Sequence, residues 1–451
     1  MFVLLAGGLL PPVDFFIVNV TLPSIQQGLM ATPAEVQLVI SGYAAAFAVF
    51  LITGGRLGDL FGRRRMFMLA MAAFTATSAL CGFAQSALLL VIGRVLEGVS
   101  AAMISPQVLG SIRALFTGRE LGRALSLYGA MMGLAAATGQ LGGGLLMALS
   151  PFGLGWRAVF LVNLPIGAAA LLGGSLLVPE TSAADRPRLD LGGAALLSLT
   201  LACLIVPLSE GSQRGWPAWT FVTLALVPFF LAAFLRCEDR LAARGGMPLL
   251  NLELLAIPSF RRGVLVATLF FFTTPFYLLF SIDRQDGVGL DALHTGLSIL
   301  PYGVGLFLGP LASTPLLGRL RHRLLGIGMA VEVLGYAAIA ACVAFGVEGW
   351  HLVAIVFVAG FGQGIAMPRL FNTALDDVPP AHGGLAAGVV NSALQIGAAI
   401  SVAAVGTLFF AVLGGRTGAI AYGHAFGVAM IAVVAALAGA AAISLAGERR
   451  R

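Results

Sequence analysis

The chain reads as an all-α integral membrane protein of fourteen transmembrane helices, and three observations predict it. Stretches of about twenty mostly apolar residues recur almost end to end, the length a helix needs to cross roughly 30 Å of hydrocarbon. Of the 451 residues 59% are hydrophobic and only 10% charged, with a mean hydropathy of +0.97, whereas soluble chains carry about 25% charge. The runs are continuous rather than alternating, which excludes a β-barrel. Lipid offers no partner for a free backbone N–H or C=O, so a helix is the conformation left.

The spans are expected at 3–25, 36–56, 66–84, 88–110, 123–148, 157–178, 191–208, 217–235, 263–282, 293–316, 324–345, 350–371, 384–412 and 424–446. The first run lacks a basic leader and a small-residue cleavage site, so it reads as span 1 rather than a removable signal peptide. All 26 basic residues are Arg. With the N-terminus inside, 21 of them face the cytoplasm, Arg157, Arg214, Arg284 and Arg416 face the opposite side, and Arg94 lies within a span. That asymmetry is the positive-inside pattern. It predicts a multi-pass protein of the cytoplasmic membrane with both termini cytoplasmic. The net charge of +6 then reflects loops facing an anionic leaflet, and no nucleic-acid partner is expected.

Several function classes drop out on composition. Cys81, Cys203, Cys237 and Cys342 have no ligand spacing, so neither a metal site nor a disulfide framework is expected. No Gly-x-x-x-x-Gly-Lys loop exists, and without Lys none could, so ATP is not a partner. No cofactor is expected, and the energy must come from an ion gradient rather than bound ATP. The five histidines are isolated and no soluble domain is long enough to hold a catalytic site, which argues against an enzyme. No segment reads as a selectivity filter.

The loops reveal an internal repeat. Gly55-Arg-Leu-Gly-Asp59-Leu-Phe-Gly62-Arg63-Arg-Arg65 joins spans 2 and 3, and a degraded echo, Gly318-Arg319-Leu-Arg321-His-Arg323, joins spans 10 and 11. With spans 7 and 8 set aside as an insertion, two six-helix halves remain: residues 1–180, then 181–250 with the inserted peripheral pair, then 251–451. Transporters built from such halves hold substrate near the midplane. Residues 179–190 read as a linker leaving the first half. The loop 236–262 is expected to form a short helix along the cytoplasmic surface.

Ionisable side chains inside spans are functional candidates by default, because each is costly in hydrocarbon. Asp14 lies about 16 Å into span 1, near midplane. Arg94 and Glu97, three apart, share one helix face in span 4. Glu332 lies at depth in span 11. A carboxylate balanced between an apolar setting and a nearby Arg can load and release a proton as water access alternates. The competing reading is a static buried pair that holds helices in register. Pro11-Pro12 should kink or break span 1, leaving Phe15, Phe16, Asn19 and Thr21 as candidate cavity residues. Phe270, Phe271, Phe272, Phe276 and Tyr277 in span 9 would suit a large apolar ligand, or simply face lipid or core. Asp283-Arg284-Gln285-Asp286, at the outer end of span 9, reads as a solvated rim, with a gate as the alternative. Span 5 is rich in glycine (Gly133, Gly139, Gly142, Gly143, Gly144), which suits close packing or a hinge.

Taken together these motifs resemble the major facilitator superfamily, and within it the fourteen-helix drug:proton antiporters of the EmrB/QacA type. The resemblance spans essentially the whole chain. The loop from Gly55 is similar to the superfamily's cytoplasmic loop motif, which implies a gate built on Gly55, Asp59, Gly62, Arg63 and Arg64, with Asp59 paired to the loop arginine. Val13-Asp14 through Pro23-Ser-Ile25 is similar to the first-helix motif, and Arg94-Val-Leu-Glu97-Gly98 resembles the helix-4 motif implicated in proton transfer. Trp156-Arg157-Ala-Val-Phe160-Leu-Val-Asn163-Leu-Pro165 is close to the helix-6 hallmark, and Asn391-Ser-Ala-Leu394-Gln395-Ile-Gly397 matches the helix-13 pattern. Gly139, Gln140, Gly143 and Gly144 occupy the helix-5 hinge motif, although Gln140 stands where Pro is usual. Glu97 replaces a common Gln, and Leu394 a frequent basic residue.

The fold implied is two six-helix bundles plus two inserted helices. The activity implied is proton-coupled efflux (antiport) of small amphipathic or cationic compounds by alternating access, coupled through Asp14, Glu97 and Glu332 with Arg94. Phe15, Asn19, Phe272, Phe276, Asn391 and Gln395 are the expected cavity residues. An alternative is a proton-coupled exporter or symporter of one metabolite. The partners are a small-molecule substrate, protons and the lipid bilayer; a monomer is expected, with adaptor proteins left open.

Overall fold

The computed structural model describes residues 1–181, 190–211, 215–244, 252–320, 324–379 and 383–448, and these are helical throughout apart from turns and short connections. The side chains of Asp59 and Gln395 lie outside the described residues, as do Arg321 and Arg323 of the echo loop. Eleven helical segments are long and apolar enough to cross a bilayer, and two shorter apolar stretches, Leu38–Leu51 and Gly192–Leu208, accompany them. The sequence predicts fourteen crossings, so the described residues carry eleven of full length. The chain divides into two compact units: Met1–Ala135 with Leu145–Asn251, and Ala136–Gly144 with Leu252–Arg451.

In the first unit α1 (Phe2–Asn19) runs unbroken through Pro11 and Pro12. The break expected at the prolines instead falls at Val20–Thr21, before α2 (Leu22–Leu29). There the Thr21 hydroxyl turns back to donate to the Val18 carbonyl at 2.8 Å. The Pro11 carbonyl meanwhile accepts from the Tyr43 hydroxyl at 3.0 Å, which ties α1 to the helix that follows α2. α3 (Pro33–Phe61) begins at a complete capping box: Glu35 N–H donates to Thr32 Oγ1, and Thr32 N–H to Glu35 Oε2 at 2.9 Å. The Thr32 amide and hydroxyl hold the Glu35 carboxyl below the usual glutamate range.

α4 (Arg63–Gly82) and α5 (Ala87–Leu115) follow, the latter capped by Ser86 Oγ accepting from Leu89 N–H. Two glycines set the spacing between α3 and α5. A Cβ on Gly98 would lie 2.4 Å from the Tyr43 carbonyl oxygen, and one on Gly54 2.7 Å from that of Ala102. Nothing larger lets these backbones meet. α6 (Gly118–Leu149), α7 (Ala158–Leu161) and α8 (Asn163–Leu177) complete the first six spans in chain order. α9 (Leu191–Gly211) packs on α3, where Ser198 Oγ donates to Val49 O, and on α10 (Ala218–Ala243). α10 outruns its expected end at 235, so Arg236 and Arg240 are helical rather than part of a loop.

The second unit starts with the short α11 (Leu252–Ala256) and α12 (Pro258–Phe270). A 3-10 turn over Phe271–Thr273 interrupts the ninth span before α13 (Pro275–Ile282), and a π-helical turn follows over Asp283–Gly287. Pro275 lacks the N–H that a continuous helix would need there. α14 (Ala292–Leu320), α15 (Leu324–Ala344), α16 (Trp350–Leu375), α17 (Gly383–Leu413) and α18 (Ala419–Glu448) complete it. α14 and α15 both lie against α16 through glycines: Cβ atoms on Gly309, Gly328 and Gly335 would each fall under 3.0 Å from α16 backbone.

Asp283 and Arg284 are not a solvated rim. They are buried, at 1% and 2% exposure, with Arg284 bonded to Asp283 and to Glu348. The π turn folds them inward beneath Gly287, whose missing side chain leaves room for the Tyr422 ring.

Candidate functional site

The first unit brings together Asp14 from α1 and Arg94 and Glu97 from α5, each completely buried. Arg94 Nη1 donates to both carboxylates, at 2.5 Å to Asp14 Oδ2 and 2.7 Å to Glu97 Oε2. Its Nε donates to the Val39 carbonyl at 3.1 Å, a reach that depends on the close α3–α5 contact at Gly98. The guanidinium stacks over the Tyr43 ring at 4.2 Å, which places cationic charge on an aromatic face.

Three residues that sequence reasoning did not assign to the site complete it. Asn163, at the start of α8, donates through Nδ2 to Asp14 Oδ1 at 2.8 Å and to Ser78 Oγ at 3.2 Å. The Ser78 hydroxyl in turn donates to Glu97 Oε1, and Cys81 Sγ lies 3.6 Å from Glu97 Oε2. Asp14, Asn163, Ser78, Glu97 and Arg94 therefore form a closed ring drawn from four helices. Ser78 and Cys81 stand three apart on α4, spacing that puts both on one face. Polar residues so spaced in an apolar span were the signal available. A Cβ on Gly93 would meet Cys81 Sγ at 2.6 Å, so glycine there lets α4 seat against α5.

The charge count defines what the ring can do. Two carboxylates face one guanidinium, and with both ionised the site holds an uncompensated negative charge away from water. Such a charge costs several kcal/mol, and one bound proton removes it. The arrangement can thus take up a proton, or exchange it for a cation.

The loop motif sits at the water-facing end of the same unit. Gly62 adopts φ +97 and ends α3, a conformation that favours glycine. Glu180 caps the start of α4, accepting from Arg64 N–H at 3.0 Å and Arg65 N–H at 3.2 Å. The carboxylate at a helix N-terminus suits the dipole. Arg63 N–H donates to Thr181 O at 2.9 Å, and the Arg64 guanidinium donates to the Gly174 and Ser175 carbonyls. Residues 180 and 181 are therefore docked on the loop motif, not the free start of a linker. Gly55 faces Pro106, and a Cβ on Gly58 would collide with Gln107, whose Nε2 donates to Gly54 O at 2.7 Å.

The remaining candidates are placed as follows. Phe15 is half-buried against Tyr43, and Asn19 is buried with Nδ2 donating to Phe15 O at 3.2 Å. On α6, Gly139, Gln140, Gly143 and Gly144 are buried. Gly144 lies against Ala292 and Leu293 of α14, and the Gln140 backbone against Gly296. In the second unit Phe272 and Asn391 are half-buried, while Phe276 is fully enclosed by Tyr277, Phe280, Tyr302 and Tyr336 and presents no open face in this conformation. Glu332, on α15, is also completely buried. The second-unit candidates are not brought to the ring by contacts within either unit.

Comparison with known proteins agrees with this architecture. The chain is 38% identical over 92% of its length to the "Probable actinorhodin transporter" of Streptomyces coelicolor, covering 72% of that protein. It is 34% identical to the puromycin resistance protein of Streptomyces alboniger (90% and 80% covered) and 31% identical to the tetracenomycin C resistance and export protein of Streptomyces glaucescens (89% and 74%). A solved structure from work on proton-dependent oligopeptide transporters superposes with a TM-score of 0.70, covering 100% of this chain and 98% of its own, at 15% identity. A bacterial homologue of the human lysosomal transporter Spinster gives 0.66 at 17% identity (99% and 96% covered). Those two show a shared fold. The family model of the Major Facilitator Superfamily matches residues 4–402, and the chain is a multi-pass membrane transporter of that superfamily, not an enzyme.

Proposed function

We propose that the protein is a proton-coupled exporter of small amphipathic or cationic compounds, of the fourteen-span drug:proton antiporter type. It would work by alternating access in the cytoplasmic membrane, with both termini on the cytoplasmic side. The observation that carries this is the buried ring, in which two carboxylates face the single guanidinium of Arg94. Asp14 and Glu97 bind the proton; Arg94 orients both and holds the charge of the deprotonated site. Asn163 and Ser78 link the carboxylates to each other. Export, rather than import, draws on relatives named for resistance and export. Gly62, Arg64 and Glu180 would fix the loop motif at the cytoplasmic end.

A second reading is export of one specific metabolite, favoured by relatives named for a single compound. A resistance and accumulation profile of cells expressing the protein separates the two: protection against several unrelated compounds or against one. Proton coupling is tested in inverted membrane vesicles. Interior acid should drive uptake of a compound identified by that profile, and Asp14→Asn should reduce it by at least about tenfold, the equivalent of roughly 1.4 kcal/mol. Equal gradient-driven uptake by parent and variant overturns the role of Asp14.

A further inference from the structure

The second unit contains a buried acid that the ring does not use. Glu332 sits midway along α15, and neither carboxylate oxygen has a hydrogen-bond partner among the described residues. Beside it runs a satisfied polar chain. Tyr302 OH bonds Tyr336 OH at 2.7 Å and donates to Gln363 Oε1 at 2.8 Å, and Gln363 Nε2 donates to Thr273 Oγ1 at 3.1 Å. Tyr277 of α13, Tyr302 of α14 and Tyr336 on α15 itself lie within electrostatic range of Glu332. α16 contributes Gln363, and the described residues of α13, α14, α16 and α18 bring no charged group to it. Tyr336 stands four residues beyond Glu332, one turn along the same face.

We propose that Glu332 is a second proton-binding centre, which holds its proton while the Tyr302–Tyr336–Gln363 chain is closed and releases it when the Tyr336 hydroxyl turns to the carboxylate. The inference rests on the proton-coupled reading above and extends it to a site in the other unit. A neutral acid with no partner packs no better than leucine and loses hydrogen bonds that water would supply. Its presence is explained by a second conformation in which it is ionised and has donors. The hydroxyls needed are one turn away and at present bonded to each other. Cβ atoms on Gly328, Gly335 and Gly362 would each come within 3.0 Å of backbone across the α15–α16 contact. The two backbones therefore touch directly beside the acid.

Infrared difference spectra of the full chain in lipid, taken as the bulk pH is stepped, detect the C=O stretch of a protonated carboxyl. The expected result is a band that titrates and shifts in D2O, survives Asp14→Asn and Glu97→Gln, and is lost in Glu332→Gln. Tyr336→Phe, which keeps the ring, should move its midpoint by about tenfold in proton concentration, the effect of removing one hydrogen bond to a charged group. Should Glu332→Gln fail to fold, Glu332→Asp keeps the acid and displaces the band instead. Absence of a band dependent on Glu332, a band that neither titrates nor exchanges, or a midpoint indifferent to Tyr336→Phe overturns the proposal. The spectra require no cargo, so failure of gradient-driven uptake would count against proton-coupled export alone.

Discussion

Each unit buries one arginine between two carboxylates, and the two sites differ in where the water is. Arg94 bonds Asp14 and Glu97, all three at 0% exposure. Arg284 bonds Asp283, at 1%, and Glu348, at 49%. The excess negative charge at Arg284 is half in solvent, so it is hydrated without help. At Arg94 both carboxylates are fully enclosed, so no water shares that charge. The same three side-chain types thus make one cluster open to solvent on one side and one ring closed to it.

The largest effect should separate the two arginines. Arg94→Ala leaves two buried carboxylates unpaired and is expected to destabilise the protein by about 3–5 kcal/mol, read as thermal unfolding in lipid or detergent. Arg284→Ala should cost about 1–3 kcal/mol, because Glu348 rehydrates and only Asp283 is stranded. Equal losses would break the comparison. Adding Asp14→Asn and Glu97→Gln to Arg94→Ala should recover roughly 2 kcal/mol of the loss, since the triple variant buries no net charge.

Between these extremes lies Glu180, partly exposed on the start of α4. Its replacement by Ala removes a helix cap and should cost about 1 kcal/mol. Glu348→Gln should cost less than about 1 kcal/mol. Raising the ionic strength should weaken the Arg284–Glu348 pair while leaving the Arg94 ring unaffected, because buried charges are screened far less.

The smallest effect is expected at Glu35, whose carboxyl lies almost wholly in water. Its proton affinity is depressed in the folded state by the Thr32 amide and hydroxyl. It therefore adds stability above its unfolded value, near 4.5, and that contribution disappears as pH falls through the folded value. Unfolding measured across this acid window should show a slight pH dependence that Glu35→Gln abolishes.

These contrasts also mark where sequence reading succeeds. Asp14, Arg94 and Glu97 stood out because ionisable groups in apolar runs are rare, and that rarity has an energetic cause. Asn163 was visible as part of a motif but without a role, and Ser78 and Cys81 showed only as small polar residues three apart, a pattern too common in spans to assign one. What they do depends on which helix faces meet. The break in the first span was misplaced because Pro11 and Pro12 remove two amide donors, yet α1 runs on through them to Asn19. Asp283 and Arg284 look solvated by composition, and only the π turn shows that they fold inward. Glu180 reads as a linker residue until the α4 amides are seen to point at it.

The linkage of Asp14 to Glu97 by two separate routes, through Arg94 on one side and through Asn163 and Ser78 on the other, has a consequence for repair. Cutting one route leaves the carboxyls tied by the other, so the loop has a spare tether. Asn163→Ala and Arg94→Ala together should therefore cost more in thermal unfolding than the two single losses summed.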